Sequence, residues 1–399
     1  MKFKPLHPVL LLTQLTLLAL GWLGVATAAP SELSRHVMLG VISLGITWVV
    51  TQFHSRMSVR LGWGFWLLTV LGLAGTFLFG ASVAGVKRWI DLGFFQLQAS
   101  EFAKLALIAY LASFFIRRGT GYKLAGPVAV IGITALLVLI APSTSAAAFI
   151  FILALSVMFT AGVGGFRIAS IVILAAAITV PAGSWYLNSH PYVADRIQGF
   201  QNTVNGIQDK TGMNYQNRQA TKVFSKAGFW GHGPDAPLPH RVPANTTDFV
   251  IVPVVWAIGL LGVSVVLAAF GAILVIGLRG ASLVSSGYWG QAYIPSERHG
   301  SAILASGATI MLVGQAIVNL GVVLDKLPNT GIALPMMSVG GSSLIACAIA
   351  FGWIHNAYNE AKIPVPKNVV AQEQALILES EEGQLAVSKR ELQPHVYGR

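Results

Sequence analysis

Long apolar runs, separated by shorter polar stretches, dominate the chain. Each run approaches the ~20 residues with which an α-helix crosses ~30 Å of hydrocarbon, and it is much longer than the ~10 alternating residues of a barrel strand. The pattern therefore predicts an all-α polytopic membrane protein with about ten transmembrane helices. The predicted spans are residues 8–28, 36–54, 61–80, 101–117, 124–141, 145–163, 167–187, 248–278, 300–324 and 338–359.

Composition supports this class, because the 399 residues are 54% hydrophobic and 10% charged, whereas soluble domains carry roughly 25% charged residues. The first run ends like a signal peptide, but its length and the spans that follow indicate a retained helix. The single cysteine, Cys347, excludes an intramolecular disulfide. The net charge of +11 lies mostly in loops, where it sets topology and meets anionic head groups of membrane lipids, so no nucleic acid partner is predicted.

Lysine and arginine are distributed unequally between the two sets of short loops. One set holds Lys2, Lys4, Arg56, Arg60, Arg117, Arg118, Lys123, Arg167, Arg279 and Arg298, and the other holds Arg35, Lys87, Arg88 and Lys326. The richer side should be cytoplasmic, which places both termini inside. Residues 188–247 then form a long extracytoplasmic loop between helices 7 and 8. The expected domains are a ten-helix membrane domain, 1–360, and a flexible cytoplasmic tail, 361–399.

A charged pair lies at the start of the fourth predicted span. Glu101 and Lys104 are three residues apart, so they share a helix face. Lys104 lies about one turn inside the membrane run, where a lysine is costly unless it is paired or faces a wet cavity. The pair is either a structural ion pair that locks the bundle or one wall of an anion-binding cavity.

An acid precedes the eighth apolar run in the sequence "TTDFVIVPVVWAIGLLG". We expect Asp248 in the first helical turn, with Thr246 or Thr247 as the N-cap, where the helix dipole stabilises a carboxylate. Asp248 is therefore either a helix-start carboxylate with no other task or a base at the membrane boundary. The second interpretation suits a substrate whose lipid tail stays in the bilayer.

A turn rich in proline and glycine, "LPNTGIALPMMSVGGSSLI" (327–345), interrupts the last part of the membrane region. Irregular backbone at membrane depth requires cover from protein or a watery cavity. Gly340, Gly341, Ser342 and Ser343 open the last predicted helix, and their N–H groups are candidates for holding a phosphate. A tight re-entrant turn with an N-cap is the alternative.

These stretches together resemble the SEDS family of bacterial cell-wall proteins, the FtsW/RodA/SpoVE type. The family's G-x-R-R-W-I-x-L-G…Q-P-S-E-x-x-K is similar to "GVKRWIDLGFFQLQASEFAK", and its H-T-D-F to "TTDF". Its P-x-T-G-x-x-L-P-x-x-S-Y-G-G-S-S is similar to "PNTGIALPMMSVGGSS". Further matches are "DRIQGF" and "NYQNRQATKVFSKAGFWGHGP". The motifs follow in order from about residue 85 to 345, and one tract looks more like the division (FtsW) branch.

The resemblance implies a peptidoglycan glycosyltransferase that polymerises lipid II at the outer face of the bacterial cytoplasmic membrane, for cell division or cell shape. It implies a class B penicillin-binding protein, a monofunctional transpeptidase, as partner. Asp248 falls on the family's catalytic aspartate, expected to act as general base. The expected substrate-binding residues are Arg88, Glu101, Lys104, Arg196, Gln219, Ser338, Gly340, Gly341 and Ser342. A divalent cation, Mg or Mn, is an expected cofactor with unknown ligands; the chain has no Walker A motif, so no nucleotide is expected.

Departures from the family pattern leave other functions open. The family histidine before the aspartate is Thr246 here, and its preceding acid is Ala244; Ser143 replaces the acid of P-D-x-G-T, and Trp256-Ala257 replaces a Glu-Glu pair. The chain is then either a divergent active polymerase or a non-catalytic scaffold of the division machinery, and the missing acids at 143 and 256–257 count slightly towards the scaffold. A lipid II flippase is a third alternative, although the broken region near 328–341 has no clear mate in the first half of the chain.

Overall fold

The computed structural model describes residues 3–83, 86–91, 93, 96–141, 143–189, 194, 198, 201, 215–240, 242–285 and 296–362. The tail from residue 363 and most of the loop between 190 and 214 lie outside this range. The helices are α1 (Pro8–Ala28), a 3₁₀ turn (Pro30–Glu32), α2 (Leu33–Gln52), α3 (Ser55–Arg60), α4 (Gly62–Phe79), α5 (Ala99–Arg118), α6 (Ala125–Ile140), α7 (Thr144–Thr160), α8 (Gly165–Ser189), α9 (Tyr215–Ala227), α10 (Ile251–Ser285), α11 (Ser296–Val323) and α12 (Gly341–Ala361).

The all-α polytopic class is confirmed, and each predicted span overlaps one of the long helices. Among the described residues, seven helical segments are long and apolar enough to cross a membrane, and α6 and α7 are shorter apolar helices. The number of ten membrane crossings stays a prediction.

A small sheet, which the hydrophobic pattern did not predict, joins α4 to α5. Its strands are β1 (Ala81–Val83), β2 (Val86–Asp91) and β3 (Gln96–Leu97), in the order β1-β2-β3. Both pairings are antiparallel, with Ala81 opposite Trp89 and Ile90 opposite Leu97. Strand β2 packs against α4, and β3 packs against α12.

The core of the bundle is built on α5 and α11. Their apolar windows are 83% and 78% buried, whereas the window of α8 is 6% buried. Glycines let the neighbours approach closely, as small residues do in membrane bundles. A Cβ at Gly307 of α11 would lie 2.6 Å from the Ile108 side chain, and one at Gly62 of α4 would meet the Ala109 backbone. Because α5 is so enclosed, its charged residues at positions 101 and 104 are enclosed too.

Helix α10 is broken near its start, which corrects the prediction of one continuous helix from residue 248. It begins at Ile251, and Gly259 interrupts it with φ 67° and ψ −157°. The segment 228–233 supplies the hydrogen bonds at this break. Leu260 N and Leu261 N donate to the carbonyls of Gly228 and Phe229 at 3.1 and 3.3 Å. In return, His232 N and Gly233 N donate to the carbonyls of Trp256 and Ala257, both at 2.9 Å.

Candidate active site

A cavity of about 530 Å³ opens where the starts of α2, α5, α7 and α12 meet strands β2 and β3 and the turns at 246–248 and 330–340. It collects residues that are far apart in the sequence. The predicted site residues that line it are Arg88, Glu101, Lys104, Asp248, Ser338, Gly340, Gly341 and Ser342.

Asp248 lies in a turn that precedes α10, so the prediction of a first-turn aspartate capped by Thr246 or Thr247 is wrong. Its backbone is instead fixed by tertiary contacts. Asn319 Nδ2 donates to the Asp248 carbonyl at 2.7 Å, and Val339 N donates to the Thr246 carbonyl at 2.8 Å. The half-buried side chain faces the cavity wall at Gly331, where an added Cβ would lie 3.4 Å from Oδ2. The backbone that carries the carboxylate is therefore held by α11 and by the turn before α12.

Glu101 and Lys104 form the predicted ion pair, with Lys104 Nζ 2.8 Å from Glu101 Oε1. Their side chains are 10% and 6% exposed, respectively. The ammonium also lies 5.9 Å from the centroid of the Phe149 ring. Glu101 Oε2 is buried and accepts no hydrogen bond from the residues that the structure describes. The pair is thus an enclosed charge pair at a cavity wall, which joins the two interpretations offered by the sequence.

The small sheet brings Arg88 to the cavity. Arg88 lies on β2, is partly buried, and donates through Nε to the Ala141 carbonyl at 3.3 Å. The sheet is tied to α12 by Ser342, whose Oγ accepts from Gln98 N at 2.9 Å and donates to the Gln96 carbonyl at 2.8 Å. Ser342 therefore holds the wall that carries Arg88.

The start of α12 forms another part of the wall. The helix begins at Gly341, as predicted. Its N-cap is Gly340, which has extended backbone and, as a glycine, no side chain that could cap the helix. The first N–H groups of a helix lack intrahelical partners and carry partial positive charge. Because Gly340 and Gly341 line the cavity without covering side chains, this end of α12 is suited to a phosphate.

Ser338 lines the cavity, but its hydroxyl is engaged with the protein. It accepts from Leu334 N at 2.9 Å and lies within donating distance of the carbonyls of Thr247, at 2.8 Å, and Leu334, at 3.0 Å. These contacts join the turn before α12 to the turn that carries Asp248. Ser338 is therefore placed to position the aspartate.

One predicted site residue, Gln219, does not line this cavity, and another cannot be placed. Gln219 is 8% exposed on α9, and the cavity is lined by other residues. Arg196 lies outside the described residues.

Sequence reasoning missed Glu32 and Arg35, which line the cavity from the start of α2. One signal was present, because Arg35 is among the few cations in the charge-poor loops. Together with Arg88 and Lys104, Arg35 gives the cavity three cationic side chains among its described lining residues. The same lining includes three acids, Glu32, Glu101 and Asp248, so the cavity places cationic side chains and carboxylates together.

The described residues show no ready-made cluster of metal ligands. Within the described part of the chain, no group of three or more His, Cys, Asp or Glu side chains could hold a metal ion. Mg²⁺ is usually bound through one or two carboxylates, with substrate phosphates and waters completing its shell. A divalent cation would therefore need the substrate for most of its ligands.

Trp256 and Ala257, which replace the Glu-Glu pair of the family, lie away from the cavity. Trp256 Nε1 donates to the Ala236 carbonyl at 3.1 Å, and the indole stacks on His232 with ring centroids 3.9 Å apart. Neither Trp256 nor Ala257 lines the cavity, whereas Ser143 does. Trp256 thus packs against the segment that joins α9 to α10, close to the break in α10.

A family model for the FtsW/RodA/SpoVE cell cycle proteins matches residues 12–363. A relative from Aeromonas salmonicida, named "Probable peptidoglycan glycosyltransferase FtsW", is 30% identical over 86% of this chain and 87% of its own length. A chain in a solved peptidoglycan synthase complex, described as coordinating polymerization and crosslinking, has a TM-score of 0.70 at 25% identity over 90% of this chain and 98% of its own. The rod shape determining protein RodA of Thermus thermophilus has the same fold, with a TM-score of 0.62 at 22% identity over 90% and 98%.

Proposed function

The chain belongs to the FtsW/RodA/SpoVE family, and from this premise we propose that it is a peptidoglycan glycosyltransferase that polymerises lipid II into glycan strands, with Asp248 as general base. The observation that carries this proposal is the shared cavity, whose lining includes Asp248 on a turn with a hydrogen-bonded backbone, cationic side chains and an open helix N-terminus. A glycosyl transfer from a lipid diphosphate needs both a base and a site for the departing anion.

The first step assigned to the chain is proton removal. Asp248 takes the proton from the 4-hydroxyl of the acceptor sugar, and the oxygen attacks the anomeric carbon of the donor as the bond to the diphosphate breaks. The fixed backbone of the 246–248 turn limits the carboxylate to the cavity wall. Such positioning lowers the barrier because the reacting groups are aligned before the reaction.

The second step is stabilisation of the leaving undecaprenyl diphosphate. Arg88 and Lys104 lie on the same cavity as Asp248, and the N–H groups at the start of α12 add partial positive charge. Glu101 holds Lys104 through the 2.8 Å contact, so it acts as a positioning residue. We also assign Arg35, which lines the same cavity, to the anionic part of the substrate.

The chain is a multi-pass membrane protein, and we propose that the cavity faces the outside of the cytoplasmic membrane with both termini cytoplasmic. The charge distribution of the loops supports this orientation. The likeness to a chain of a peptidoglycan synthase complex supports a class B penicillin-binding protein as partner. That partner would crosslink the strands that this chain produces.

Polymerisation of fluorescent lipid II by the purified complex of this chain and its co-purifying transpeptidase tests the base assignment. Asp248→Asn should abolish glycan strands, because an amide cannot act as the base. The complex should stay intact, because only one carboxylate oxygen is exchanged for an amide nitrogen. Asp235→Asn, the same isosteric change at an exposed residue outside the cavity, should retain activity. Full activity of Asp248→Asn would remove Asp248 from the mechanism.

A non-catalytic scaffold is the second candidate, because the acid preceding Asp248 in the family is Ala244 here. An intact wild-type complex that makes no polymer would favour it. If the chain moved intact lipid II across the membrane of vesicles and made no polymer, a flippase would be favoured instead.

A further inference from the structure

A second concavity, an apolar groove of about 400 Å³, lies between α2, α3, α4 and α12. It is at the opposite end of α2 from the cavity, since the cavity includes Leu39 and the groove includes Val50. Eleven helical residues rise about 16 Å. The groove is therefore separate from the proposed active site.

The wall of the groove is held by hydrogen bonds, so the groove is formed without a ligand. Trp353 Nε1 donates to Ser58 Oγ at 3.0 Å, which ties α12 to α3. Asn356 Nδ2 donates to the Val50 carbonyl at 3.0 Å, which ties α12 to α2. Ser55 N donates to Glu360 Oε1 at 2.8 Å and fixes the start of α3.

Large apolar side chains rim the groove and remain accessible. Phe53, Met57, Leu61 and Leu68 are 49%, 42%, 58% and 67% exposed, respectively. In a bilayer these side chains meet acyl chains, which are as apolar as the residues themselves. Apolar contact alone thus gives no preference for one lipid over another, and any selectivity must come from the head group.

A basic residue of α3, Arg60, is exposed next to the lining residue Leu61. Met57 and Leu61 line the groove, and the exposed Arg60 lies three residues after Met57, on the same helix face. Residues 53–61 contain Arg56 and Arg60 and no acid. Glu360, the acid near α3, is engaged by Ser55 N and lies 3.5 Å from His54 Nδ1. The charged side chains of α3 itself are thus both cationic.

We propose that the groove binds an anionic phospholipid, with an acyl chain against Val50, Met57, Leu68 and Trp353 and the phosphate-bearing head group at Arg60. The apolar lining accepts the chain, and the basic face of α3 selects the head group. Attraction of a basic residue near an anionic lipid surface corresponds to about a fivefold preference. The site does not depend on the reaction proposed for the cavity.

Lipid retention by the full chain in nanodiscs tests the proposal. The discs contain equal phosphatidylglycerol and phosphatidylcholine, and native mass spectrometry counts the lipids that stay bound. Gly64 lines the groove and has open space at its Cβ, so Gly64→Trp fills the groove without a backbone clash. Gly132 on α6 also has open space, and Gly132→Trp is its matched control.

Wild type should retain phosphatidylglycerol over phosphatidylcholine by about fivefold. Arg60→Gln should remove this preference, and Gly64→Trp should remove the bound lipid. Gly132→Trp, and Arg218→Gln on the exposed side of α9, should change neither. A photoactivatable phosphatidylglycerol should label residues 57–68 in wild type, which checks the location without any variant. The proposal would be overturned if wild type retained both lipids equally, or if the target and control variants had equal effects. It would also be overturned if only an undecaprenyl lipid labelled residues 57–68.

Discussion

Replacing Lys104 and Glu101 singly and together separates their contribution to stability from their contribution to the reaction. The two side chains are 6% and 10% exposed, and their charged atoms are 2.8 Å apart. Removing one member of such a buried pair leaves an uncompensated charge and costs about 3–5 kcal/mol. Replacing both with apolar or neutral residues of similar volume is often neutral, or stabilising by about 1–4 kcal/mol.

Lys104→Met and Glu101→Gln should each lower the free energy of unfolding by about 3 kcal/mol or more, and the double variant should regain most of it. Unfolding in mixed detergent micelles, followed by tryptophan fluorescence, measures this cycle. Glycan synthesis should be lost in Lys104→Met and should stay lost in the double variant, because the cation that faces the diphosphate is absent from both.

Two results would contradict this reasoning. A stable and active double variant would make the pair purely structural. Unchanged stability of Lys104→Met would mean that the ammonium is fully solvated in the cavity and that its burial carries no cost. Ser113→Ala, at a buried residue in the C-terminal half of α5, controls for general effects of substitution in that helix.

Gly331→Ala should reduce the rate of polymerisation several-fold at nearly unchanged KM, because its φ of +64° disfavours a side chain and a shift of this backbone would move the wall that contacts Asp248 Oδ2. Gly259→Ala should destabilise the fold by more than about 2 kcal/mol, since φ 67° and ψ −157° suit glycine alone and the Cβ would meet the Phe229 backbone; thermal unfolding measures this loss. Ser338→Ala leaves two buried backbone groups without their hydroxyl contact and should cost about 1–3 kcal/mol, with a matching fall in turnover in the lipid II assay.

Each of these variants has a matched control in the same chain. The control for Gly331→Ala is Gly93→Ala, because Gly93 has a similar positive φ in open space. The control for Gly259→Ala is Gly45→Ala, which adds a methyl group at an open site on α2. The control for Ser338→Ala is Ser170→Ala, which removes an exposed hydroxyl that bonds to its own helix. Loss of turnover in Gly93→Ala equal to that in Gly331→Ala, or unchanged stability of Gly259→Ala or Ser338→Ala, would contradict the assigned contacts.

The helices were predictable because the bilayer imposes their length and composition on the local sequence. Asp248, Lys104 and the turn at 327–345 were predictable as a site for a related reason: an acid, a cation and irregular backbone are each costly next to hydrocarbon. Their clustering in one cavity needed the fold, and the resemblance to a family anticipated it.

The remaining features depend on contacts between distant segments. Glu32 and Arg35 follow an ordinary loop, and only the packing of α2 brings them to the cavity. The start of α10 was misplaced because Asn319 and Val339 hold the 246–248 turn outside the helix. The break at Gly259 was missed because the distant segment 228–233 supplies its hydrogen bonds. Gln219 was assigned by resemblance alone, and α9 carries it elsewhere.

The turn before α12 is also supported from behind by the first two helices. A Cβ at Gly21 of α1 would lie 2.6 Å from the Met337 carbonyl oxygen, and His36 Nε2 of α2 lies 3.1 Å from the same atom. Neither residue lines the cavity. Substitutions at these two positions should nevertheless be tolerated as poorly as substitutions of Asp248. Any side chain added at Gly21 must displace the turn before α12, which is hydrogen-bonded to the turn that carries Asp248. In a saturation library scored by growth, intolerance should therefore extend into α1, far along the chain from the residues that do the chemistry.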